Sequence, residues 1–78
     1  MKLPRDVTAD RLILLLGRLG YRPIRQKGSH ARLRHDGPPA HSVTVPVHAS
    51  LKTGTLYGIL SEVAERRSTT VEALAAML

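Results

Sequence analysis

The 78-residue chain contains no cysteine, phenylalanine or tryptophan, and tyrosine occurs only twice. Without cysteine, disulfide bonds and thiolate metal sites are excluded. With so few aromatic side chains the core must be aliphatic, and the base-stacking platforms of single-strand-binding proteins are not expected. No apolar run approaches the ~20 residues of a membrane span, and the start of the chain lacks the apolar run of a signal peptide. We therefore expect a soluble, cytoplasmic protein that has no contact with membranes.

Acidic residues are also scarce. Six Asp and Glu stand against twelve Lys and Arg, which gives a formal net charge of +6. Such an excess favours an anionic partner, through long-range attraction and through counterion release. The length is that of one small domain, so we expect a single domain over residues 1–78.

Leucines recur at helical spacing near the start of the chain, at Leu12, Leu15, Leu16 and Leu19. Thr8 precedes them as a candidate N-cap, and Gly20 follows them as a helix terminator. This pattern predicts an amphipathic helix over residues 9–19.

From Tyr21 the apolar pattern alternates instead, as in a strand. Gly28 and Ser29 separate two alternating runs, and glycine at the first position of a two-residue loop is typical of a type II′ hairpin turn. The predicted cross-strand pairs are then Lys27–His30, Gln26–Ala31, Arg25–Arg32 and Ile24–Leu33. One face of this hairpin carries Ile24, Ala31 and Leu33, and the other carries Arg25, Lys27, His30, Arg32 and Arg34.

Turn-forming residues at 36–41 lead into a third strand, HSVTVPV, which ends at Pro46. Val43 and Val45 are predicted to face inward, and Ser42 and Thr44 outward. An antiparallel sheet of this kind buries one face and leaves the other in water. We expect the helices to cover the apolar face and the cationic face to stay open.

Two further helices are predicted after a loop over residues 47–53. Thr53 is the candidate N-cap of the first, whose apolar stripe is Leu56, Ile59, Leu60 and Val63. Thr69 and Glu72 form a capping-box pattern before a short last helix, with Val71, Leu74, Ala75 and Leu78 on one side. The predicted fold is α+β: a helix, a three-stranded antiparallel sheet, a helix, and an appended C-terminal helix.

Folding stability does not explain why the hairpin carries so many cations. Arg25 opposite Arg32 is a like-charge cross-strand pair, which destabilises a hairpin, and no acid occurs between residues 22 and 35. A face that only keeps the protein soluble is one interpretation, but such faces usually interleave both signs of charge. A phosphate-rich ligand would supply the missing negative charge.

His30 is the group on this face that can exchange a proton near neutral pH. As a general base it could take the proton of an RNA 2′-hydroxyl, whose oxygen would attack the adjacent phosphorus, while Lys27 or Arg32 neutralises charge on the phosphoryl oxygens. DNA lacks that nucleophile. The alternative is that His30 is an ordinary polar surface residue.

Other polar residues are weaker candidates. Ser29 and Lys52 could contact phosphate, so the predicted RNA-binding set is Arg25, Lys27, Ser29, Arg32, Arg34 and Lys52. His48 is a candidate proton donor to the departing 5′-oxygen. The four histidines, His30, His35, His41 and His48, lack thiolate partners and close i, i+4 spacing, so we predict no metal site and no cofactor.

Three segments, GYRPIRQKGSHARLRH, HSVTVPVH and LKTGTLYGIL, together resemble the HicA toxins, the messenger-RNA-cleaving partners of HicB antitoxins. The resemblance covers roughly residues 8–65 and leaves 66–78 as an extension that could pack on the core, dimerise or meet the antitoxin. It implies a fold like the double-stranded-RNA-binding domain and the toxin role in a type II toxin–antitoxin system. It also implies metal-independent endoribonuclease activity on mRNA, with His30 as the catalytic residue.

The resemblance further implies inhibition by a HicB-like antitoxin in a hetero-oligomer, with the free toxin a monomer or weak dimer. Two other functions remain open on the sequence. One is a noncatalytic nucleic-acid-binding module that uses the same cationic face on double-stranded RNA or DNA. The other is a protein-interaction module whose basic face docks an acidic antitoxin.

Overall fold

A computed structural model describes residues 3–78. The elements follow in the order α1 (Ala9–Arg18), β1 (Arg22–Lys27), β2 (His30–His35), β3 (His41–Pro46), α2 (Thr53–Arg66) and α3 (Val71–Ala75). The strands form one antiparallel sheet in the order β1-β2-β3. This confirms the predicted α+β fold and is consistent with a double-stranded-RNA-binding-domain-like architecture. No helix in the described residues is long and apolar enough to cross a membrane.

One face of the sheet is buried under α1 and α2. Ala31 and Leu33 of β2, and Val43 and Val45 of β3, alternate with exposed or half-buried residues along their strands. They join one aliphatic core with the apolar stripes of the helices, including Leu12, Leu16, Leu56, Leu60 and Val63. The predicted inward positions of β3 and the predicted stripe of α2 are therefore confirmed.

Helix α1 is capped as the sequence predicts. The Thr8 hydroxyl accepts a hydrogen bond from the Arg11 N–H at 3.1 Å, and the helix ends at Arg18, one residue before the predicted end. The Ala9 N–H donates to the His48 carbonyl at 3.1 Å. This bond ties the start of α1 to the loop that follows β3.

The predicted hairpin register is confirmed next to the turn and wrong further along β1. Lys27–His30, Gln26–Ala31 and Arg25–Arg32 pair as predicted, and Gly28 has a φ of 57°, which suits the first position of a type II′ turn.

Ile24 does not pair with Leu33, because Pro23 takes that position and the register shifts between Pro23 and Arg25. The extra residue is a β-bulge, which removes Ile24 from the inward face and leaves it 47% exposed. Proline has no N–H to donate to a ladder and is found at edges and bulges. All of β1 is exposed, as its place at the sheet edge allows.

Helix α2 begins one residue earlier than its predicted cap implies. Thr53 is the first helical residue, and Lys52 is the N-cap, with extended backbone and no side-chain capping bond. The Lys52 carbonyl accepts the Leu56 N–H at 2.9 Å. The prediction that Thr53 caps this helix is wrong.

Helix α3 packs on α2 and the core. Thr70, not the predicted Thr69, is its N-cap and accepts from the Ala73 N–H at 3.1 Å. Thr69 is used elsewhere, since its N–H donates to the Ala64 carbonyl near the end of α2 at 2.9 Å. Leu74 is buried, and Val71, Ala75 and Leu78 are partly buried against the core. The extension beyond residue 65 therefore covers the core.

Candidate functional site

The open face of the sheet carries three rows of paired side chains. From β1 through β2 to β3, the rows are Lys27, His30 and Pro46; Arg25, Arg32 and Thr44; and Arg22, Arg34 and Ser42. Directly opposed residues of antiparallel strands share a face. The sequence-predicted grouping of Arg25, Lys27, His30, Arg32 and Arg34 on one face is therefore confirmed.

A depression of about 290 Å³ lies on this face, lined by Arg25, Lys27, His30, Arg32 and Thr44. All of these residues are exposed. The depression brings together four residues that the sequence predicted as functional. Its fifth residue, Thr44, was predicted to face outward but was given no role, because its nearness to His30 depends on the pairing of β2 with β3. We call this group the cationic depression.

The hairpin turn fixes where His30 lies. His30 is the first residue of β2, the central strand, and it is paired on one side with Lys27 and on the other with Pro46. The Ser29 carbonyl accepts the Val47 N–H at 2.6 Å, which ties the turn to the end of β3. His30 thus lies on the central strand, on the open side of the sheet, and is exposed to solvent.

Asp36 changes the charge distribution that the sequence predicts. Its carboxylate accepts a hydrogen bond from Arg22 at 2.7 Å and lies 3.5 Å from the Arg34 guanidinium. The hydrogen bond from Arg22 holds the pKa of this exposed carboxyl below its usual range, with a further contribution from Arg34. No acid occurs between residues 22 and 35, but the next residue, Asp36, forms ion pairs with two of the arginines in that range.

The positive charge of the sheet that is not paired with Asp36 lies in the cationic depression. Arg34, although on the same face, does not line it. Within residues 3–78, the side chains of Arg25, Lys27 and Arg32 form no ion pair. These three are therefore the cations of the sheet that no carboxylate of the described residues engages.

Three other predicted residues lie outside the cationic depression. Ser29 is in the hairpin turn, His48 follows β3, and Lys52 is the N-cap of α2; all three are exposed. The structure thus brings together Arg25, Lys27, His30 and Arg32, but not Ser29, Arg34, Lys52 or His48.

The sequence reading missed that two histidines are buried, His35 at 8% and His41 at 7% exposure. They stack on each other at 5.7 Å between ring centroids, and both meet the edge or face of Tyr21. The signal was present, because His35 continues the inward alternation of Ala31 and Leu33. We call these three side chains the Tyr-His cluster.

Tyr21 and His41 are joined by a short hydrogen bond of 2.5 Å from the phenol to Nε2. The Pro39 carbonyl, 2.6 Å from Nδ1 of His41, can only accept, so Nδ1 carries a proton and Nε2 is the ring nitrogen that can accept from the phenol. Burial raises the pKa of the Tyr21 hydroxyl, against the opposing effect of the Arg67 charge. The phenol is therefore a protonated donor in the folded protein.

His35 is satisfied in the same way. Its Nδ1 accepts the Gly37 N–H at 2.8 Å, so Nε2 carries the proton and donates to the Leu19 carbonyl at 3.1 Å. Gly20 lies against this ring with a φ of 98°, and a Cβ there would come 3.0 Å from Nε2. The Tyr-His cluster therefore fastens the end of α1 to the turn between β2 and β3.

No three His, Asp or Glu side chains of the described residues form a group that could hold a metal ion. Both ring nitrogens of His35 and of His41 are engaged in hydrogen bonds within the protein. These two imidazoles serve the packing of the turn, whereas His30 and His48 are exposed.

Comparison with known proteins identifies the family. The family described as HicA toxin of bacterial toxin-antitoxin matches residues 9–64, well over half of the chain. No curated protein and no solved structure gives a significant match. The matched segment contains α1, the whole sheet with its cationic depression, and most of α2, while α3 lies beyond it. Membership implies pairing with an antitoxin. The chain belongs to the HicA family, the toxins of bacterial toxin–antitoxin systems.

Proposed function

We propose that this toxin is an endoribonuclease that cleaves messenger RNA with His30 as the catalytic base. The observation that carries the proposal is that His30 lines the same open depression as Arg25, Lys27 and Arg32. A proton acceptor beside three unpaired cations suits a substrate that offers a hydroxyl next to a phosphate. The 2′-hydroxyl of RNA and its neighbouring phosphodiester meet that description.

Binding in this proposal comes mainly from the cations. Arg25, Lys27 and Arg32 contact the phosphates, and Ser29, Arg34 and Lys52 extend the contact along the strand outside the cationic depression. Each phosphate neutralised releases counterions, so the affinity falls as the salt concentration rises. The like-charge pair of Arg25 and Arg32 is then a cost to the hairpin that the ligand relieves.

Cleavage is an internal transesterification. His30 takes the proton of a 2′-hydroxyl, the oxygen attacks the adjacent phosphorus, and the bond from phosphorus to the 5′-oxygen breaks. The products are a 2′,3′-cyclic phosphate and a free 5′-hydroxyl. Lys27 and Arg32 stabilise the negative charge that develops on the phosphoryl oxygens.

The departing 5′-oxygen needs a proton. His48 is the candidate donor, and a water molecule is the alternative because His48 lies outside the cationic depression. All of these steps are performed by side chains and water, so the proposed reaction uses no metal and no cofactor.

The proposed partner is a HicB-like antitoxin that binds the toxin in a hetero-oligomer and blocks the cationic face. The net charge of +6 favours an antitoxin with an acidic surface. We propose the cytoplasm as the location, since that is where messenger RNA is translated, and a monomer or weak dimer as the free form.

The test compares wild type and His30→Ala on a long RNA in the presence of EDTA. Because His30 is exposed, the variant should melt like the wild type, while cleavage should fall by about 10²- to 10⁴-fold, the usual contribution of a general base. His48→Ala, at the other exposed histidine, is a second arm of the test: reduced cleavage supports His48 as the proton donor, and unchanged cleavage assigns that role to water. Equal cleavage by wild type and His30→Ala, or cleavage by neither, contradicts the proposal.

The alternative functions give different results in the same experiment. RNA binding without cleavage by either protein would indicate a noncatalytic nucleic-acid-binding module. Growth arrest on expression that does not depend on His30, together with salt-sensitive binding to the antitoxin, would indicate a module that acts only by docking its partner.

A further inference from the structure

The cationic depression contains two kinds of polar group. Arg25, Lys27 and Arg32 have hydrogen-bond donors only, whereas His30 and Thr44 can also accept a hydrogen bond. Phosphate oxygens accept and do not donate, so they match the three cations. These two can also accept from a donor on the ligand, and the ribose 2′-hydroxyl is the donor that an RNA backbone has and a DNA backbone lacks.

His30 and Thr44 do not occupy the same place in the sheet. His30 is paired with Pro46, and Thr44 is paired with Arg32 in the next row. They are diagonal neighbours, whose backbones lie roughly 7–8 Å apart in an antiparallel sheet. Thr44 is exposed and lines the same depression as His30 and Arg32.

We infer that Thr44 accepts a hydrogen bond from the 2′-hydroxyl of a nucleotide flanking the one that is cleaved, and thereby selects ribose over deoxyribose. This inference rests on the proposed function, because it assumes that the cationic depression binds RNA beside His30. It adds a second contact that recognises ribose, separate from the 2′-hydroxyl that attacks the phosphorus. His30 uses the hydroxyl that attacks, and Thr44 reads the hydroxyl of a neighbour while Arg32 holds the intervening phosphate.

Threonine also favours strands, so its presence on β3 could reflect backbone preference alone. Thr44→Val separates the two roles, because valine keeps the β-branched shape and removes only the hydroxyl. Ser42→Ala is the matched control. Ser42 is the next outward hydroxyl on β3, but it is paired with Arg34 outside the cationic depression.

The experiment measures binding of fluorescent oligonucleotides by anisotropy, with His30→Ala as the parent so that the RNA stays intact. RNA and DNA of identical sequence are compared at one salt concentration. The ratio of RNA to DNA affinity should fall about 3- to 10-fold in Thr44→Val, the usual range for one net hydrogen bond, and should not change in Ser42→Ala. Thr44→Ser, which retains the hydroxyl, should keep most of the ratio.

A second measurement locates the contact. RNAs that carry one deoxynucleotide, moved along the sequence, are tested against the parent and Thr44→Val. One position other than the cleaved nucleotide should weaken binding to the parent and have no effect on Thr44→Val. The scan on the parent remains a test even where Thr44→Val fails to fold, because the inference still requires one sensitive position other than the cleaved nucleotide.

The inference is overturned when the ratio of RNA to DNA affinity is unchanged in Thr44→Val, or when RNA and DNA lose affinity equally, which would make Thr44 a phosphate contact. Absence of RNA binding by the parent overturns it too. The proposed cleavage fails by a different result: uncleaved RNA with the wild type, or equal cleavage by wild type and His30→Ala. A protein that binds ribose through Thr44 and does not cleave would therefore keep the inference and lose the catalytic proposal.

Discussion

Removing the Tyr21 hydroxyl is the sharpest test of how the fold is held. Tyr21 is 3% exposed, and its phenol donates to His41 Nε2, whose other nitrogen is bound to the Pro39 carbonyl. Tyr21→Phe keeps the ring and its packing against both histidines but leaves Nε2 buried without a donor. An unsatisfied buried polar group costs about 1–3 kcal/mol.

That cost is large for a protein of this size. One kcal/mol shifts the melting temperature of a 60–100-residue domain by about 4–8 °C, so we expect Tyr21→Phe to melt about 4 °C lower at least and roughly 24 °C lower at most. Thermal unfolding followed by circular dichroism measures the shift. Tyr57→Phe is the matched control, because Tyr57 is 48% exposed on α2 and an exposed substitution usually changes stability by less than about 0.5 kcal/mol.

Because of the Tyr21 hydroxyl, the difference in stability between wild type and Tyr21→Phe should depend on pH. Burial raises the pKa of Tyr21 in the folded state, so the unfolded chain ionises first, at about pH 10. The stabilisation is therefore complete below pH 10 and is lost as the pH rises toward the folded pKa. The difference in stability between wild type and Tyr21→Phe should narrow above pH 10. Equal melting of the two proteins at neutral pH, or a gap that widens in alkali, would refute the assignment of this hydrogen bond.

Two further predictions concern the charges of the open face. Arg25→Gln should leave the fold intact or slightly more stable, since it removes the repulsion with Arg32. It should also weaken RNA binding, and the slope of log affinity against log salt concentration should become smaller by about 0.7–0.9. Loss of folding without loss of affinity would contradict the register. Arg11→Gln, an equal loss of charge on α1, should have the smaller effect on binding. Asp36→Asn should tighten RNA binding and steepen its salt dependence, because it releases Arg22 from its ion pair. Filter-binding titrations measure the affinity. An unchanged affinity would show that Arg22 does not reach the ligand.

Local patterns predicted the parts of the fold that depend on neighbours in the sequence. Thr8 as a cap, the glycine-first turn at Gly28, and the pairing of Arg25 with Arg32 were all confirmed. Ile24 was wrong because Pro23 breaks the alternation with a bulge, and alternation alone cannot show where an extra residue enters. The last two helix caps were each misplaced by one residue. Thr70 fits the same capping pattern as Thr69, and Lys52 begins α2 without any side-chain capping bond, so no capping pattern marks it.

The candidate site was predicted where it depends on the hairpin and missed where it depends on β3. The two-residue turn fixes which side chains lie beside His30 on β1. The turn from residue 36 to 40 does not fix a register in the same way, so Thr44 could not be assigned to the cationic depression from the sequence. His35 and His41 were considered only as possible metal ligands, although the alternation with Leu33 and Val43 already directed both of them inward.

The short helix α3 matters for how this toxin can be shortened. The family-matched segment ends at residue 64, yet Leu74 is only 1% exposed because it lies in the core against α2. A chain cut at the family boundary would present an uncovered aliphatic strip to solvent, and we expect it to self-associate. The family match therefore ends before the helix that completes the core, and a shortened toxin should keep α3.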